Sequence, residues 1–330
     1  MRQVKSMDLS RSIKQQLFKT ENGRILFFRL RVIREKLALL RYSDEKYISK
    51  TYRERFGEPL DLINPVTFGA KLQWLKLFYR DPDIPRCSDK YELKNYLAER
   101  GFGEHCIETI GIYNSANEID FDSLPQQFAA KATHGSGWNL ICKDKSSLNW
   151  KNSVRLMNSW LKLNLYVFGR EWNYKEIQPR IIVEKFLSHE PLYDYKYLCF
   201  QGEPKILQLN NDFNGVHYVD FYDISTWKHL PFTHDKYIKS DRNMKKPEQF
   251  DEMLQLAREI SKPFPFVRVD FYSFDGMILV GELTFFPSGG LLPYVPIETG
   301  YNEIVGSYLH LPAPNHNLAL YQKMSKRRSS

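Results

Sequence analysis

The clearest alternation of apolar and polar residues lies near the C-terminal end, in the run Phe266-Val-Arg-Val-Asp-Phe-Tyr272. A period of two is that of a β-strand with one apolar and one polar face, and it places Arg268 and Asp270 together on the polar face. Asp275-Gly276 follows as a turn, and residues 277–286 repeat the strand pattern. The pattern therefore predicts a β-hairpin.

The loop of this hairpin decides which polar residues oppose each other. A two-residue loop would place Gly281 opposite Asp270, whereas a three-residue loop would place Glu282 opposite Arg268 and diagonal to Asp270. We predict the three-residue loop. The second strand then places Leu279 on the apolar face, away from Glu282.

Other segments show helical or strand patterns. Helices are predicted for Phe68–Phe78, for 88–97 with Ser88 as its N-cap, for 149–163 and for 247–261. Strands are predicted on both sides of a glycine loop within 128–141, and at 180–187, 194–202 and 204–209. Residues 211–247, rich in Asn, Asp, Tyr and Lys, are predicted to be irregular and to face a substrate.

The composition changes this picture in three ways. Of 330 residues, 42% are hydrophobic and 15% aromatic, so the chain can bury a large core and is not largely disordered. The 47 basic and 39 acidic residues give a net charge of +8, which suits a polyanionic or membrane-surface neighbour, although no nucleic-acid-binding signature is present. Cys87, Cys106, Cys142 and Cys199 lack metal or redox spacing, so reduced thiols in the cytoplasm are expected.

The N-terminal segment, residues 1–46, is basic and amphipathic. We expect it either to lie on an anionic membrane at its inner face or to pack on the body as a surface helix. No apolar run in the sequence approaches the roughly 18 residues of a membrane span.

The hairpin also carries the strongest candidate chemistry. Asp270 and Glu282 are carboxylates on adjacent strands, which suit a hard divalent cation, and Arg268 suits a phosphate or an oxyanion. The glycines of Phe286-Pro-Ser-Gly-Gly290 let backbone N–H groups approach a ligand. On an isolated hairpin, a solvated Arg–Glu ion pair would explain the same residues.

A second candidate site involves Lys131, which lies on a strand just before His134-Gly-Ser-Gly137. A lysine beside a flexible glycine loop suits polyphosphate binding, although such a loop is also a common plain turn. It is not the Gly-x4-Gly-Lys-Ser/Thr nucleotide loop, since no lysine follows the second glycine.

The order of these parts resembles the ATP-grasp superfamily, and over residues 47–311 it resembles more narrowly the TupA-like ATP-grasp proteins of bacterial cell-surface polysaccharide synthesis. The motifs that carry the resemblance are Pro65-Val-Thr-Phe68, Lys71-Leu-Gln-Trp-Leu-Lys76, Asp89-Lys-Tyr91, His134-Gly-Ser-Gly137, Asp194-Tyr-Lys196, Arg268-Val-Asp270 and Gly281-Glu-Leu-Thr-Phe285. It implies an α+β fold whose two lobes sandwich ATP between antiparallel sheets. The implied boundaries are 47–125 for a helical and α/β region, 126–188 for the small lobe, 189–311 for the large lobe and 312–330 for a basic disordered tail.

The resemblance also implies roles for individual residues. Phosphate binding falls to Lys131 and Lys196, the covering loop to His134, Gly135, Ser136 and Gly137, the adenine hinge to Glu184, Lys185 and Leu187, and the ribose to Asp194 or Glu190. Asp270, Glu282 and Thr284 would hold one or two Mg²⁺, and Arg268 with the Gly289 and Gly290 amides would stabilise the transferring phosphoryl group. Thr284 stands where many ATP-grasp enzymes have Asn, which leaves the second metal open.

The implied reaction is ligation of a carboxylate to an amine through an acyl phosphate. The expected substrates are ATP, a uronic acid or lipid-linked saccharide, and an amine donor such as an amino acid. A sugar kinase or glycosyltransferase of the same pathway is an alternative, and Asp81-Pro-Asp83 has the spacing of a glycosyltransferase metal motif, although its proline predicts a loop. A non-catalytic module that binds polyanions or membranes is a further alternative.

Overall fold

The structure, a computed structural model, describes residues 20–187, 193–213 and 215–329. Its helices are α1 (Glu21–Arg41), α2 (Asp44–Phe56), α3 (Phe68–Phe78), α4 (Asp83–Ser88), α5 (Glu92–Glu99), α6 (Trp150–Trp160), α7 (Tyr166–Gly169), α8 (Phe250–Ser261), α9 (Tyr301–Tyr308) and α10 (Leu318–Ser329). Its strands are β1 (Thr109–Tyr113), β2 (Phe128–Ala132), β3 (Asn139–Cys142), β4 (Ile181–Lys185), β5 (Asp194–Phe200), β6 (Glu203–Phe213), β7 (Val216–Asp223), β8 (Thr233–His234), β9 (Phe266–Phe274), β10 (Met277–Thr284) and β11 (Tyr294–Val295).

Helix α3 has the predicted bounds because Thr67 caps it, with its hydroxyl accepting a hydrogen bond from the Ala70 amide at 3.2 Å. The helix predicted at 88–97 with Ser88 as its N-cap begins later in the structure, at Glu92. Ser88 is buried at the end of α4, and its hydroxyl donates to the Ile84 carbonyl. The Asp89 carboxylate accepts from the Tyr91 amide at 2.8 Å instead, so the acidic residue organises the start of α5.

The smaller antiparallel sheet has the strand order β1-β4-β2-β3. Its apolar face packs on α6, where Met157 and Trp160 are buried in the same cluster as Phe128 and Val183. Asn149 caps α6 by accepting from the Asn152 amide, and the helix ends at Trp160, three residues before the predicted end. This sheet presents the loop between β2 and β3 to the rest of the molecule.

The larger sheet is also antiparallel, in the order β10-β9-β5-β6-β7. Its apolar face forms the main core with α3, α5, α8 and α9. The prediction that residues 211–247 are irregular is wrong in part, because β6 continues to Phe213 and β7 pairs with it from Val216 to Asp223. The alternation in this segment is obscured by its many polar residues, which line the open face of the sheet.

The hairpin of β9 and β10 has a two-residue loop, so the predicted three-residue loop is wrong. Asp275 and Gly276 both have positive φ angles, 50° and 74°, as the tightest hairpin turns require, and Met277 pairs with Phe274. A β-bulge at Gly281 then brings Glu282 directly opposite Asp270. A Cβ at Gly281 would lie 2.7 Å from the Tyr272 ring, which explains why glycine is needed there.

The bulge also changes which face each residue of β10 occupies. Leu279 lies on the face of Tyr272 and packs with Ile107, Phe274 and Leu187, so its predicted place on the main apolar face is wrong. Val280 and Leu283 bury in the main core instead. A single extra residue therefore shifts the period-two pattern by one position.

The C-terminal tail, predicted to be disordered, contains helix α10. Its Tyr321 ring packs edge-on against Phe78 with 5.1 Å between ring centroids, and it also contacts Trp74. These aromatic contacts with α3 hold α10 in place, although the basic composition of the tail predicted disorder. Among the helices that the structure describes, none has the length and apolar character needed to cross a membrane. The four cysteines are free thiols.

Candidate active site

A cavity of about 190 Å³ lies between the β2–β3 loop and the polar face of the larger sheet. We call it the first cavity. Its lining includes the predicted site residues Lys131, Ser136, Gly137, Asp194, Lys196, Asp270 and Glu282. The strands that carry these residues belong to both sheets, so the fold brings the two predicted sites together.

Three lysines line the first cavity: Lys90, Lys131 and Lys196. Lys90 donates to the Gly135 carbonyl at 2.6 Å and lies 3.9 Å from Glu282 Oε2. Among the described residues that line it, the carboxylates of Asp194, Asp270 and Glu282 balance these three lysines. Such a site suits an anion that arrives with its own counter-cation.

The loop between β2 and β3 is shaped by close packing. Gly135 lies against the Trp138 ring, and any side chain there would clash with it. His134, predicted to contact the nucleotide, is buried, and its Nε2 hydrogen-bonds with the Trp160 carbonyl at 3.1 Å. Burial lowers the pKa of His134, which keeps the ring neutral. His134 therefore anchors the loop, while Ser136 and Gly137 face the cavity.

Arg268 and Asp270 form the centre of the polar face. Arg268 donates to the two Asp270 oxygens, each at 2.6 Å, and also to Glu282 at 3.2 Å and Thr284 at 3.1 Å. Lys196, directly opposite Asp270 on β5, adds a contact to Asp270 Oδ2 at 2.7 Å. Lys196 also contacts Asp194. This network fixes the orientation of each member.

The predicted metal ligands supply the right donor chemistry. Asp270 and Glu282 oppose each other, and Thr284 donates its hydroxyl to Glu282 at 3.2 Å. In the described part of the chain, no three His, Cys, Asp or Glu residues cluster closely enough to hold an ion by themselves. The oxygens of Asp270 are also shared with Arg268 and Lys196. The residues therefore fit a cation that takes its remaining oxygen ligands from a bound anion.

The ionisation of Glu282 agrees with this fit. Burial acts to raise its pKa, but Lys90, Arg268 and Lys196 outweigh burial and lower the pKa to about 2. Glu282 therefore remains a carboxylate at neutral pH.

A second cavity, of about 410 Å³, adjoins the first and shares Ser136, Lys196 and Glu282 with it. The other residues that line it include Glu171, Tyr174, Gln208, Asn210, His234, Lys236, Tyr237, Arg268 and Thr284. The two cavities meet at the Arg268 and Asp270 network. Groups bound in the two cavities would therefore lie next to each other.

The glycine tail differs from its prediction. The Gly289 amide donates to the Phe286 carbonyl at 2.8 Å, so it does not point to the cavity as an anion donor. Instead, the Gly289 carbonyl accepts from Lys76 at 2.6 Å and from Gln73 at 2.9 Å. Both glycines are buried. Gly289 lines the second cavity, and the Gly290 carbonyl accepts from Gln73 at 3.0 Å. Both glycines have positive φ angles of 66°.

The predicted adenine hinge lies at the end of β4. Glu184 is buried and receives ion pairs from Lys131 at 2.7 Å and Lys94 at 2.5 Å. Lys185 is exposed, and its ammonium lies 3.7 Å from Glu108. Leu187 packs beside Ile107. Glu190, the alternative ribose ligand, lies outside the described residues.

Sequence reasoning missed four residues at this site: Lys76, Lys90, Gln73 and Glu171. The first three lie within motifs that carried the family resemblance, which was the available signal. Their contacts are to loops far along the chain, such as Lys76 to Gly289 and Lys90 to Gly135. Glu171 had no such signal, because it follows a short helix outside any of those motifs.

Two antiparallel sheets that face each other across a cavity of lysines and carboxylates are the architecture of the ATP-grasp class. The chain belongs to the TupA-like ATP-grasp family, which matches residues 70–310. The predictions of this family, of the ATP-grasp fold and of an ATP-grasp enzyme are therefore confirmed. No curated protein matches the chain.

Several solved structures are similar in shape. The D-alanine–D-alanine ligase of Helicobacter pylori is 15% identical, with 74% of this chain and 69% of that chain covered and a TM-score of 0.40. An L-amino acid ligase of Bacillus licheniformis is 12% identical, with 76% and 57% covered and a TM-score of 0.44. N5-carboxyaminoimidazole synthetase of Staphylococcus aureus, complexed with ADP, is 14% identical, with 68% and 52% covered and a TM-score of 0.37.

Proposed function

We propose that this protein is an ATP-dependent carboxylate–amine ligase that forms an amide through an acyl phosphate. The observation that carries the proposal is the junction of the two cavities at Lys196 and Glu282. One cavity has the lysines and carboxylates that suit a polyphosphate with its cation, and the other has room for the reacting substrates.

Each residue has a part in this proposal. Lys90, Lys131 and Lys196 bind the phosphates of ATP, Ser136 and Gly137 cover them, and Asp194 accepts from the ribose. Asp270 and Glu282 hold Mg²⁺, which when bound neutralises charge on the phosphate oxygens. Arg268 orients the substrate carboxylate, whose oxygen attacks the γ-phosphorus while ADP leaves. The amine nitrogen then attacks the acyl carbon, and phosphate leaves with the electron pair of the broken C–O bond.

The proposal extends to an anionic sugar as the carboxylate substrate, in the synthesis of a surface polysaccharide such as a capsule or lipopolysaccharide. Support comes from the polar lining of the second cavity, where the amides of Gln208 and Asn210 and the Tyr237 ring suit a hydroxyl-rich ligand. Lys236 in the same lining suits the charge of a uronic acid.

The proposal also includes peripheral contact of α1 with an anionic membrane at the cytoplasmic face. The apolar residues exposed on α1 recur at helical spacing, and they are Leu26, Leu30, Ile33, Leu37 and Leu40. Arg29 and Lys36 accompany them and suit anionic headgroups.

Hydroxylamine trapping tests the ligase reaction directly. We expect wild-type protein with ATP and Mg²⁺ to release ADP only when a carboxylate is present, from a panel of glucuronate, galacturonate and the common amino acids. Because an acyl phosphate reacts with hydroxylamine, a hydroxamate should form in step with ADP, and chelation of the metal by EDTA should abolish both. ADP release with a stable phosphate ester and no hydroxamate would identify a kinase. The absence of any carboxylate-dependent ADP release would overturn the proposal.

Replacement of Lys90 by methionine is expected to weaken ATP binding. The ammonium of Lys90 lies at the junction of Gly135 and Glu282, and hydrogen bonds to charged groups contribute about 1.5–3 kcal/mol, so the Kd for ATP should rise roughly 10- to 100-fold. Calorimetry in the presence of Mg²⁺ measures this change. The exposed Lys262→Met provides a matched control, and an unchanged Kd in Lys90→Met would remove Lys90 from the phosphate site.

A further inference from the structure

Glu171 is a carboxylate in the second cavity whose surroundings differ from those of the other acids at the site. It is half-buried, and no described residue donates a hydrogen bond to it. Asp270 and Glu282, by contrast, both accept from Arg268. Glu171 therefore offers acceptor oxygens that no hydrogen-bond donor among the described residues uses.

The residues on either side of Glu171 have well-defined conformations. The preceding Arg170 has a positive φ angle of 53°, and its guanidinium is buried, donates to the Val167 carbonyl at 2.7 Å and stacks 4.0 Å from the centroid of the Tyr47 ring. The residues that follow Glu171 form a short 3₁₀ turn, Trp172–Tyr174. The backbone on both sides of Glu171 is therefore held in a defined conformation.

Lys76 is the charge that acts on Glu171, yet it has other hydrogen-bond partners. Its ammonium donates to Gln73 Oε1 at 3.0 Å, to the Gly169 carbonyl at 3.0 Å and to the Gly289 carbonyl at 2.6 Å. These acceptors satisfy its three protons. Lys76 thus supplies positive potential behind Glu171 and leaves the oxygens of Glu171 available to a ligand.

We propose that Glu171 binds the ammonium group of the amine substrate and takes a proton from it. The inference rests on the proposed ligase function. It identifies the nucleophile as a primary amine that enters as a cation, such as the α-amino group of an amino acid. An ammonium group donates hydrogen bonds and carries a positive charge, so it suits a carboxylate that receives no hydrogen bond from the described residues. Glu171 lines the same cavity as Arg268, which is proposed to orient the substrate carboxylate.

The proton balance of the step follows from this contact. The ammonium gives one proton to Glu171, and the freed nitrogen lone pair forms the C–N bond to the acyl carbon. The C–O bond to phosphate breaks, and the departing phosphate takes the electron pair and the second nitrogen proton. Glu171 then releases its proton to water.

The acidity of Glu171 suits this role. Burial raises the pKa of Glu171 above its usual range, although the positive charge of Lys76 opposes this effect. A raised pKa makes the carboxylate a better acceptor for a proton of the ammonium.

Glu171→Gln tests the inference while keeping the size of the side chain. With amino acids and glucosamine as amine probes, we expect the KM for the amine to rise about 10- to 100-fold, because a charge-assisted hydrogen bond is lost. ATP affinity and hydroxamate formation with hydroxylamine at high concentration should stay near wild type, because hydroxylamine is largely neutral at pH 7.5 and needs no ammonium site. Glu171→Asp should recover part of the amine affinity, and the exposed Glu252→Gln should behave as wild type.

The outcomes separate the inference from the function on which it rests. If wild type forms hydroxamate and Glu171→Gln uses the amine as wild type does, the inference is overturned and the ligase function stands. If Glu171→Gln loses ATP binding and hydroxamate formation together with amine use, Glu171 serves only as the counter-charge of Lys76, which also overturns the inference. If no amine probe reacts with wild type or raises its Tm in the presence of ATP, the ammonium site is overturned. The absence of hydroxamate in wild type contradicts the ligase function itself.

Discussion

Replacement of Asp270 by asparagine is expected to abolish the magnesium dependence of ATP binding and to lower carboxylate-dependent ADP release about 10³-fold. Asp270 accepts from Arg268 at 2.6 Å through each of its oxygens and from Lys196 at 2.7 Å, and it opposes Glu282. Asparagine keeps the shape but removes the negative charge and turns an N–H₂ group toward one of the cations. The loss therefore affects both the cation ligand and the orientation of Arg268.

Asp270→Asn also leaves two buried cations with less counter-charge, so the measurement needs a stability control. Removing one partner of a buried ion pair costs about 3–5 kcal/mol, and the thermal unfolding of the variant should be recorded beside its activity. Asp241→Asn removes the same charge from an exposed position and should bind ATP as wild type does. A folded Asp270→Asn protein that binds ATP with undiminished magnesium dependence and turns over within a few-fold of wild type would refute the proposed metal role.

Glu184→Gln is expected to lower the free energy of unfolding by about 3 kcal/mol at pH 7, because it leaves two lysines without their shared buried partner. Glu184 receives ion pairs from Lys131 at 2.7 Å and from Lys94 at 2.5 Å. Urea unfolding measures the change. Glu108→Gln is a matched control, since Glu108 forms an exposed ion pair with Lys185 on the same sheet edge, and such pairs contribute only about 0–1 kcal/mol.

The pH dependence of this difference gives a second test. Burial acts to raise the pKa of Glu184, but Lys131 and Lys94 outweigh it and lower the pKa below its usual range. Because the folded pKa lies below the unfolded value, the stabilisation is fully present above the unfolded pKa of about 4.3 and is lost as the pH falls through the folded pKa. The difference in the free energy of unfolding between wild type and Glu184→Gln should therefore become smaller as the pH falls. A gap that stays constant below the unfolded pKa would contradict the assigned ion pairs.

The hairpin shows both the reach and the limit of sequence reasoning. Alternation correctly predicted β9 and β10, and it placed Arg268, Asp270 and Glu282 on adjacent strands. It did not predict the bulge at Gly281, because a bulge depends on how the backbone meets the Tyr272 ring across the sheet. That one residue decides that Glu282, rather than Gly281, opposes Asp270.

Lys76 and Glu171 show a different limit. Each residue lies in a helix or next to a turn that local sequence can predict. However, their side chains approach each other at Gly289, which is distant from both along the chain. Likewise, the polar sequence of the tail predicted disorder, while the aromatic contact between Tyr321 and Phe78 orders α10. In each case the deciding partner is distant in sequence.

By itself, the sequence determined most of the periodic elements and the family of the chain. These depend on spacing within a few residues, where the backbone period and the nearest side chains set the outcome. Only the tertiary structure decided which charges share a cavity, that the Gly289 carbonyl rather than its amide is used, and that Glu171 lies open beside Lys76. The reason is that a polar group acquires its role from the groups that burial places against it, and burial is a property of the packed molecule.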